Sequence, residues 1–206
     1  MSEALARHLA GRGIRDPRVL EAVERLPRSL FVPRLLRAVA DVDAPLPIGH
    51  GQTISQPFVV AAMTEALALA GTEKVLEVGT GSGYQAAVLA LLAREVYTVE
   101  ILAPLAERAR EVLRVTLGLA NVHLRAGDGA AGWPEAAPFD RIVVTAATPA
   151  VPPALLEQLA PGGRMILPLG PVSGTQVLRL VEKAADGSLS ERDLHEVVFV
   201  PLRSPG

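Results

Sequence analysis

Val75-Leu76-Glu77-Val78-Gly79-Thr80-Gly81-Ser82-Gly83-Tyr84-Gln85 is the stretch from which the rest of the chain can be read. An apolar run leads into three glycines at alternate positions, and a helix-like run follows to about Arg94. That order is a buried strand, a tight turn and a helix start. Glycine suits such a turn because its backbone takes φ > 0 and lets a ligand approach closely. Helix-terminal N–H groups and the strand end then frame a pocket, which points to a nucleoside-cofactor site at the carboxyl end of this strand.

Downstream, strand and helix patterns alternate. Strands are predicted at 75–78, 96–99 (ending in Glu100), 122–125, 141–144 and 164–167, with helices at 84–94, 104–117 and 151–159. Near-continuous apolar strands joined by helices mean a parallel sheet covered on both faces. The fold class is therefore α/β, a doubly wound and mainly parallel sheet. After the fifth strand, 170–174 is too short for a crossover helix, so 175–181 is expected to return antiparallel, with a last strand at 195–200.

Upstream, residues 1–45 read as helical. Ser2 is a candidate cap for a first helix ended by Gly11, and Asp16-Pro17 starts a second that Pro27 stops. An irregular link over 28–33 and a short helical stretch over 34–40 follow. Residues 43–57 hold three prolines outside any periodic pattern, at Pro45, Pro47 and Pro57, and two glycines, Gly49 and Gly51. No long regular element fits there, and a loop of that length in a compact domain is usually functional or disordered; Ile48, Ile54 and several hydrogen-bonding side chains make disorder the weaker reading. Helix 58–69 comes next, with Ser55 or Gln56 at its cap. A single domain over 1–206 is expected: a helical cap and active-site loop over 1–56, and an α/β core with antiparallel C-terminal strands over 57–206.

Composition narrows the chemistry. The net charge of −2 gives no basic field for nucleic acid. No apolar run is long enough to span a membrane. The first residues lack the basic and apolar regions of a secretion signal, so a cytoplasmic protein is expected. With no cysteine, thiolate catalysis and cysteine metal sites are excluded. His8, His50, His123 and His195 are widely spaced, so no metal site is expected. No G-x-S-x-G elbow exists apart from the glycine turn itself. Lysine occurs only at Lys74 and Lys183 and asparagine only at Asn121, which fits a heat-adapted protein and fits a GC-rich genome equally well.

Three acidic residues mark strand ends: Glu77, Glu100 and Asp128. In a doubly wound sheet, such ends line one crevice. Glu100, 21 residues past Gly79, is placed to accept hydrogen bonds from a ribose diol, and Asp128-Gly129 to meet a purine edge. A dinucleotide fingerprint needs G-x-G-x-x-G, but Tyr84 occupies its last position. The pattern here, G-x-G-x-G after Glu77, suits S-adenosylmethionine, which has no pyrophosphate to cradle. The plain alternative is a tight strand–helix connection with no ligand.

Gly51-Gln52-Thr53-Ile54-Ser55-Gln56-Pro57 and 76–85 together resemble the protein-L-isoaspartate O-methyltransferase family. The resemblance continues through Phe31-Val32-Pro33, Pro45-Leu46-Pro47-Ile48-Gly49, Gly127-Asp128-Gly129, Gly132-Trp133, Gly162-Gly163-Arg164 and Phe199-Val200-Pro201-Leu202. The glycine motif is shared by many methyltransferases, whereas the Thr53-Ile54-Ser55 loop is much more specific. The resemblance implies the Rossmann-like fold of S-adenosylmethionine-dependent methyltransferases. The methyl group would pass to the α-carboxylate of L-isoaspartyl residues, with D-aspartyl residues as a second acceptor class, in the repair of aged proteins and peptides.

The same resemblance assigns roles. Ser55 would be catalytic and would orient the substrate carboxylate. Gln52, Thr53, Ile54 and Ser55 would wall the cofactor, together with Glu77, Gly79, Gly81, Gly83, Glu100, Ile101, Asp128 and Gly129. Val200, Pro201 and Leu202 would hold the substrate with Ser55. The plain alternative for Ser55 is a helix N-cap before Pro57. A monomer with no nucleic-acid or membrane partner is expected. Ala40, Val42 and His50 depart from residues common in the family, and Arg203 stands where some members carry a hydroxyl. Two other readings stay open: another methyl acceptor, and a binding module without catalysis.

Overall fold

The apolar run before the glycine turn forms the middle of a seven-stranded sheet in the computed structural model, which describes residues 2–203. In chain order, α1 (Ser2–Gly11) and α2 (Pro17–Arg25) open the fold. Asp16 caps α2 by accepting from the Arg18 amide, and Pro17 occupies the first turn, where no N–H is needed. The cap expected at Ser2 lies outside the described side chains. Two 3-10 stretches follow, Arg28–Phe31 and Arg34–Val39, in place of the expected link and short helical stretch.

Residues 43–57 are more ordered than their composition suggests. Strands β1 (Leu46–Gly49) and β2 (Gln52–Ile54) pair as an antiparallel hairpin. Its tip, Gly49-His50-Gly51, has φ of 96°, 53° and 70°. Three consecutive left-handed residues reverse the chain, and two glycines make that affordable. Helix α3 (Pro57–Ala66) follows and ends three residues earlier than expected.

The sheet then builds from β3 (Lys74–Val78), α4 (Tyr84–Ala90), β4 (Glu95–Glu100), α5 (Ala103–Arg110), β5 (Val122–Ala126), β6 (Phe139–Val144), α6 (Pro153–Gln158), β7 (Leu159–Leu169), β8 (Gln176–Lys183) and β9 (Leu189–Val197). Strand order is β5-β4-β3-β6-β7-β8-β9. The first five strands in that order pair in parallel, β8 pairs antiparallel with β7 and β9 antiparallel with β8, matching the expected class. The chain leaves β3 toward β4 and β5, then returns on the other side of β3 with β6. That reversal is the topological switch point, where a crevice opens beyond the strand ends. Leu76, Val78, Ile142 and Val144 are fully buried on one face, as are Val75 and Val143 on the other.

Several boundaries differ from the sequence pattern. The helix expected over 104–117 continues past Arg110 as a π-helical stretch, Glu111–Thr116. Strand β7 begins at Leu159, absorbing Pro161-Gly162-Gly163 through a register shift against β6. Strand β9 begins at Leu189 and leaves the sheet after Val197, so of the stretch expected as a strand over 195–200 only the first half is strand and the rest is a return segment. That segment crosses back to the end of β6. The Ala147 amide donates to the Val200 carbonyl at 2.8 Å, and the Leu202 amide to the Ala147 carbonyl at 2.8 Å.

Candidate active site

The switch-point crevice is an open cleft at the carboxyl ends of the central strands, lined by Val78, Val99 and Thr145 at its base. Gly79 and Gly81 from the turn, Glu100 and Ile101 from the end of β4, and Gly129 form one side. Gln52, Thr53, Ile54 and Ser55 from the hairpin, with Val200, Pro201 and Leu202 from the return segment, form the other.

Backbone bonds fix the turn against both neighbouring strands. The Gly79 amide donates to the Val99 carbonyl at 2.9 Å, and the Thr145 amide to the Val78 carbonyl at 2.9 Å. A Cβ on Gly79 would sit 2.5 Å from Thr145 Oγ1, and φ there is 96°, so only glycine fits. A Cβ on Gly129 would meet Val78 Cγ1 at 2.5 Å, so that loop lies directly on β3. Glu100 is almost fully buried at the base of the cleft. The Gly81 amide donates to its Oε2 at 2.7 Å and the Leu102 amide to its Oε1 at 2.9 Å. Both oxygens keep lone pairs for a further donor.

Three of the expected cofactor residues stand apart from the cleft lining. Glu77 is fully buried behind the turn and takes the Thr98 hydroxyl on Oε2, while its Oε1 has no partner. Burial, with the Glu100 carboxylate acting in the same direction, pushes its carboxyl up to about 8 against the opposing Thr98 bond. Gly83, at φ 88°, packs on Leu113 and Ala109. Asp128 accepts from the Ala130 amide at 2.9 Å and caps the Gly129–Ala131 turn. Their sequence positions are right for strand ends, but Glu77 and Gly83 are absorbed by local packing and Asp128 engages a local cap.

Ser55 lies where two clefts meet. A second cleft shares Thr53, Ser55, Thr145 and Val200 with the first and extends past Gln56, Val59 and Glu196. Neither Ser55 nor Gln56 caps α3 with its side chain. Asp43 does so from a distance, its Oδ1 accepting the Phe58 amide at 2.9 Å. Among the described residues, the Ser55 hydroxyl has no protein partner.

Arg28 was not singled out by any sequence pattern, yet it holds this loop. It is fully buried. Its Nη1 donates to the carbonyls of Ala40 and Val42, and its Nη2 to those of Ala44 (2.9 Å) and Ser55 (3.0 Å). Thr145 also escaped notice, though it directly follows the apolar run of β6, a strand-end position like that of Glu100. Among the described residues, no group of three or more histidine, aspartate or glutamate side chains is placed to hold a metal ion. His50 is exposed at the hairpin tip.

The family model described as protein-L-isoaspartate(D-aspartate) O-methyltransferase matches residues 1–205. The chain belongs to this family. A protein-L-isoaspartate O-methyltransferase from Anaeromyxobacter dehalogenans is 66% identical over 202 residues, covering 98% of this chain and 97% of that protein. One from Myxococcus xanthus is 58% identical, covering 96% and 93%. A solved structure of a protein-L-isoaspartate O-methyltransferase superposes with a TM-score of 0.88 at 31% identity, and covers 99% of this chain and 66% of that longer one. A Plasmodium falciparum structure, described as a complex with S-adenosyl-L-homocysteine, shares the fold with a TM-score of 0.83 at 24% identity, over 98% of both chains.

Proposed function

We propose that the protein transfers a methyl group from S-adenosylmethionine to the α-carboxylate of L-isoaspartyl residues in proteins and peptides, D-aspartyl residues being a second acceptor class. The meeting of two clefts at Ser55 carries this reading. One cleft suits a nucleoside donor, and the other opens outward for a polypeptide.

The donor set fits the cofactor. Glu100 offers a fixed carboxylate to a ribose diol, Gly79 and Gly81 leave backbone space for the amino-acid part, and Gly129 offers a flat contact for adenine. Gln52, Thr53, Ile54 and Ile101 complete the wall. When bound, S-adenosylmethionine supplies a methyl group already activated by a positively charged sulfur, and leaves as S-adenosylhomocysteine. Glu77, Gly83 and Asp128 act behind this wall by holding the turn and its neighbours.

The acceptor is a carboxylate with an ordinary pKa, ionised near pH 7, so the protein needs no strong base. Its task is to hold the carboxylate in line. Ser55 Oγ, free of a capping bond, donates to the acceptor oxygen, and Val200, Pro201 and Leu202 hold the flanking backbone. Repair follows because the following backbone amide nitrogen attacks the ester carbonyl and expels methanol, closing a succinimide without the enzyme, and hydrolysis returns part of it to aspartate. A single-domain cytoplasmic monomer without nucleic-acid or membrane partners belongs to the same reading. A net charge of −2 supports it. Among the described residues, no helix is long and apolar enough to cross a membrane.

Matched peptides containing isoaspartate or aspartate, offered with labelled S-adenosylmethionine, test the assignment. Label should enter the isoaspartyl peptide alone. Equal labelling of both would exclude a repair enzyme, and binding without labelling would leave a module without catalysis.

A further inference from the structure

The second cleft does not end at its own wall. Gln56, Val59, Glu196 and Val197 also line a groove over Phe58 and Leu178. That groove shares Arg12, Phe58 and His195 with a third space bounded by Arg164, Arg192 and Glu65. Together they make one trough leading away from Ser55, with α3 and the turn after α1 on one side and β9 on the other.

Strand β9 gives the trough its length. A strand rises about 3.3 Å per residue, so Glu196 to Arg192 covers about 13 Å and Val198 to Arg192 about 20 Å. The pairing of β9 with β8 passes from Leu178↔His195 directly to Arg179↔Asp193. Leu194 is therefore an extra residue, and this bulge lets both Leu194 and His195 face the same space. Phe58 lies at its floor, flanked by cationic and aromatic neighbours. Phe58 has the Arg12 guanidinium 3.8 Å above its ring and the His195 ring edge-on at 5.5 Å.

Charge is distributed unevenly along this path. Among the described residues, Glu196 is the lone charged side chain lining the second cleft. At the far end, Arg12, Arg164 and Arg192 face the trough, against Glu65. Glu65 Oε1 is already engaged by the Arg15 and Asp16 amides, each at 2.6 Å. Arg12 and Arg164 pair with Asp43 and Glu182, which do not line the trough. Arg192 makes no ion pair among the described residues. An extended chain leaving the acceptor site thus meets a mixed floor around Phe58 and Leu178 and then a cationic end.

We propose that this trough seats the substrate polypeptide on one side of the reacting residue, and that its arginine end takes an acidic side chain about four to six residues away, the span that about 13–20 Å of extended chain covers. The occupant is the substrate itself, because the trough is continuous with the cleft that Ser55 shares. This proposal rests on the isoaspartyl methyltransferase reading and deepens it to the flanking sequence.

Initial rates on a short isoaspartyl peptide, compared with versions extended by six residues on either the amino or the carboxyl side, test it. Each extension carries either aspartate or arginine at the fourth to sixth positions. The aspartate extension on one side should lower KM on the order of fivefold with kcat unchanged, the upper end of what one exposed ion pair contributes. In Arg192→Glu the preference should reverse to the arginine extension, and Arg192→Ala should show neither. All three proteins should turn over the unextended peptide equally. No gain from extension on either side, an equal gain on both sides, or a gain that survives Arg192→Glu would overturn the trough assignment. Loss of labelling on the unextended peptide by the unmodified protein would instead overturn the methyltransferase reading, so the two failures are distinct.

Discussion

The two walls of the active site are built in opposite ways. The glycine turn is held by its immediate neighbours in the sheet: Gly79 by Val99 and Thr145, Gly81 by Glu100. The hairpin and Ser55 have no such frame. Their position depends on side chains far away in sequence, with Arg28 reaching Ser55 across 27 residues and Asp43 capping α3 from 15 residues before Phe58. A sheet end supplies rigidity by its own ladder. A loop whose short two-stranded hairpin is separate from the main sheet must be pinned from outside, because its own ladder does not tie it to the core.

The largest consequence falls on the pin. In Arg28→Ala, the carbonyls of Ala40, Val42, Ala44 and Ser55 lose a charged donor in a buried site. A destabilisation of about 3 kcal/mol or more is expected, since each such bond contributes about 1.5–3 kcal/mol and its unpaired acceptor is costly. Denaturant unfolding measures it. If the walls are built as described, the folded fraction of the variant should keep its affinity for S-adenosylhomocysteine within a few-fold while its turnover falls. Equal loss of both would mean that the hairpin and the turn are one mechanical unit.

A crossed pair of substitutions sharpens the contrast. Glu100→Ala should weaken S-adenosylhomocysteine binding by about 100-fold, because a charged acceptor is lost and two amides at the cleft base are left without partners. Ser55→Ala should lower turnover by about 10- to 100-fold, the range for one hydrogen bond to a carboxylate, with cofactor affinity unchanged. Calorimetry and single-turnover labelling separate the two effects. An unchanged turnover number in Ser55→Ala would remove Ser55 from the chemistry, and it could not be rescued as a cap, since Asp43 fills that role.

The same contrast explains what could be read from the residues alone. The five parallel strands, the switch point beside Val78 and the positions of Gly79, Gly81 and Glu100 follow from local periodicity and strand ends. Period-based reading cannot see a pin. Arg28 sits among surface-like arginines in the sequence, and only the fold shows it buried against four carbonyls. Asp43 likewise carried no cap signature, because Phe58 lies too far along the chain for one. The loop over 43–57 was recognisable as unusual, but its hairpin was hidden by Pro45 and Pro47, which depress strand propensity at an edge where a missing N–H costs nothing. Glu77 is the converse case. It stands at a strand end beside the glycines, yet side chains alternate across a strand, and its carboxyl meets Thr98 rather than the cleft lining.

Glu77 therefore offers the mildest test, in which a change within the turn's support should leave ligand binding alone. Its carboxyl is pushed up to about 8 by burial and by the Glu100 carboxylate, with the Thr98 hydroxyl opposing. Near neutral pH it is protonated in the folded protein and ionised in the unfolded chain. The unfolded state thus binds fewer protons between the ordinary glutamate range and about 8, and stability from this group falls as pH rises through that window and levels off above it. In Glu77→Gln the group no longer titrates. The variant should gain stability relative to the unmodified protein from about pH 5 to about 8, with a limiting slope of about 1.4 kcal/mol per pH unit. Affinity for S-adenosylhomocysteine should stay within about twofold, well under the 1.4 kcal/mol that a factor of ten represents. A stability difference independent of pH would mean that Glu77 is ionised in the fold. A large loss of affinity would move Glu77 from the support of the turn to the cleft itself, and the division between a wall and its backing would have to be redrawn there.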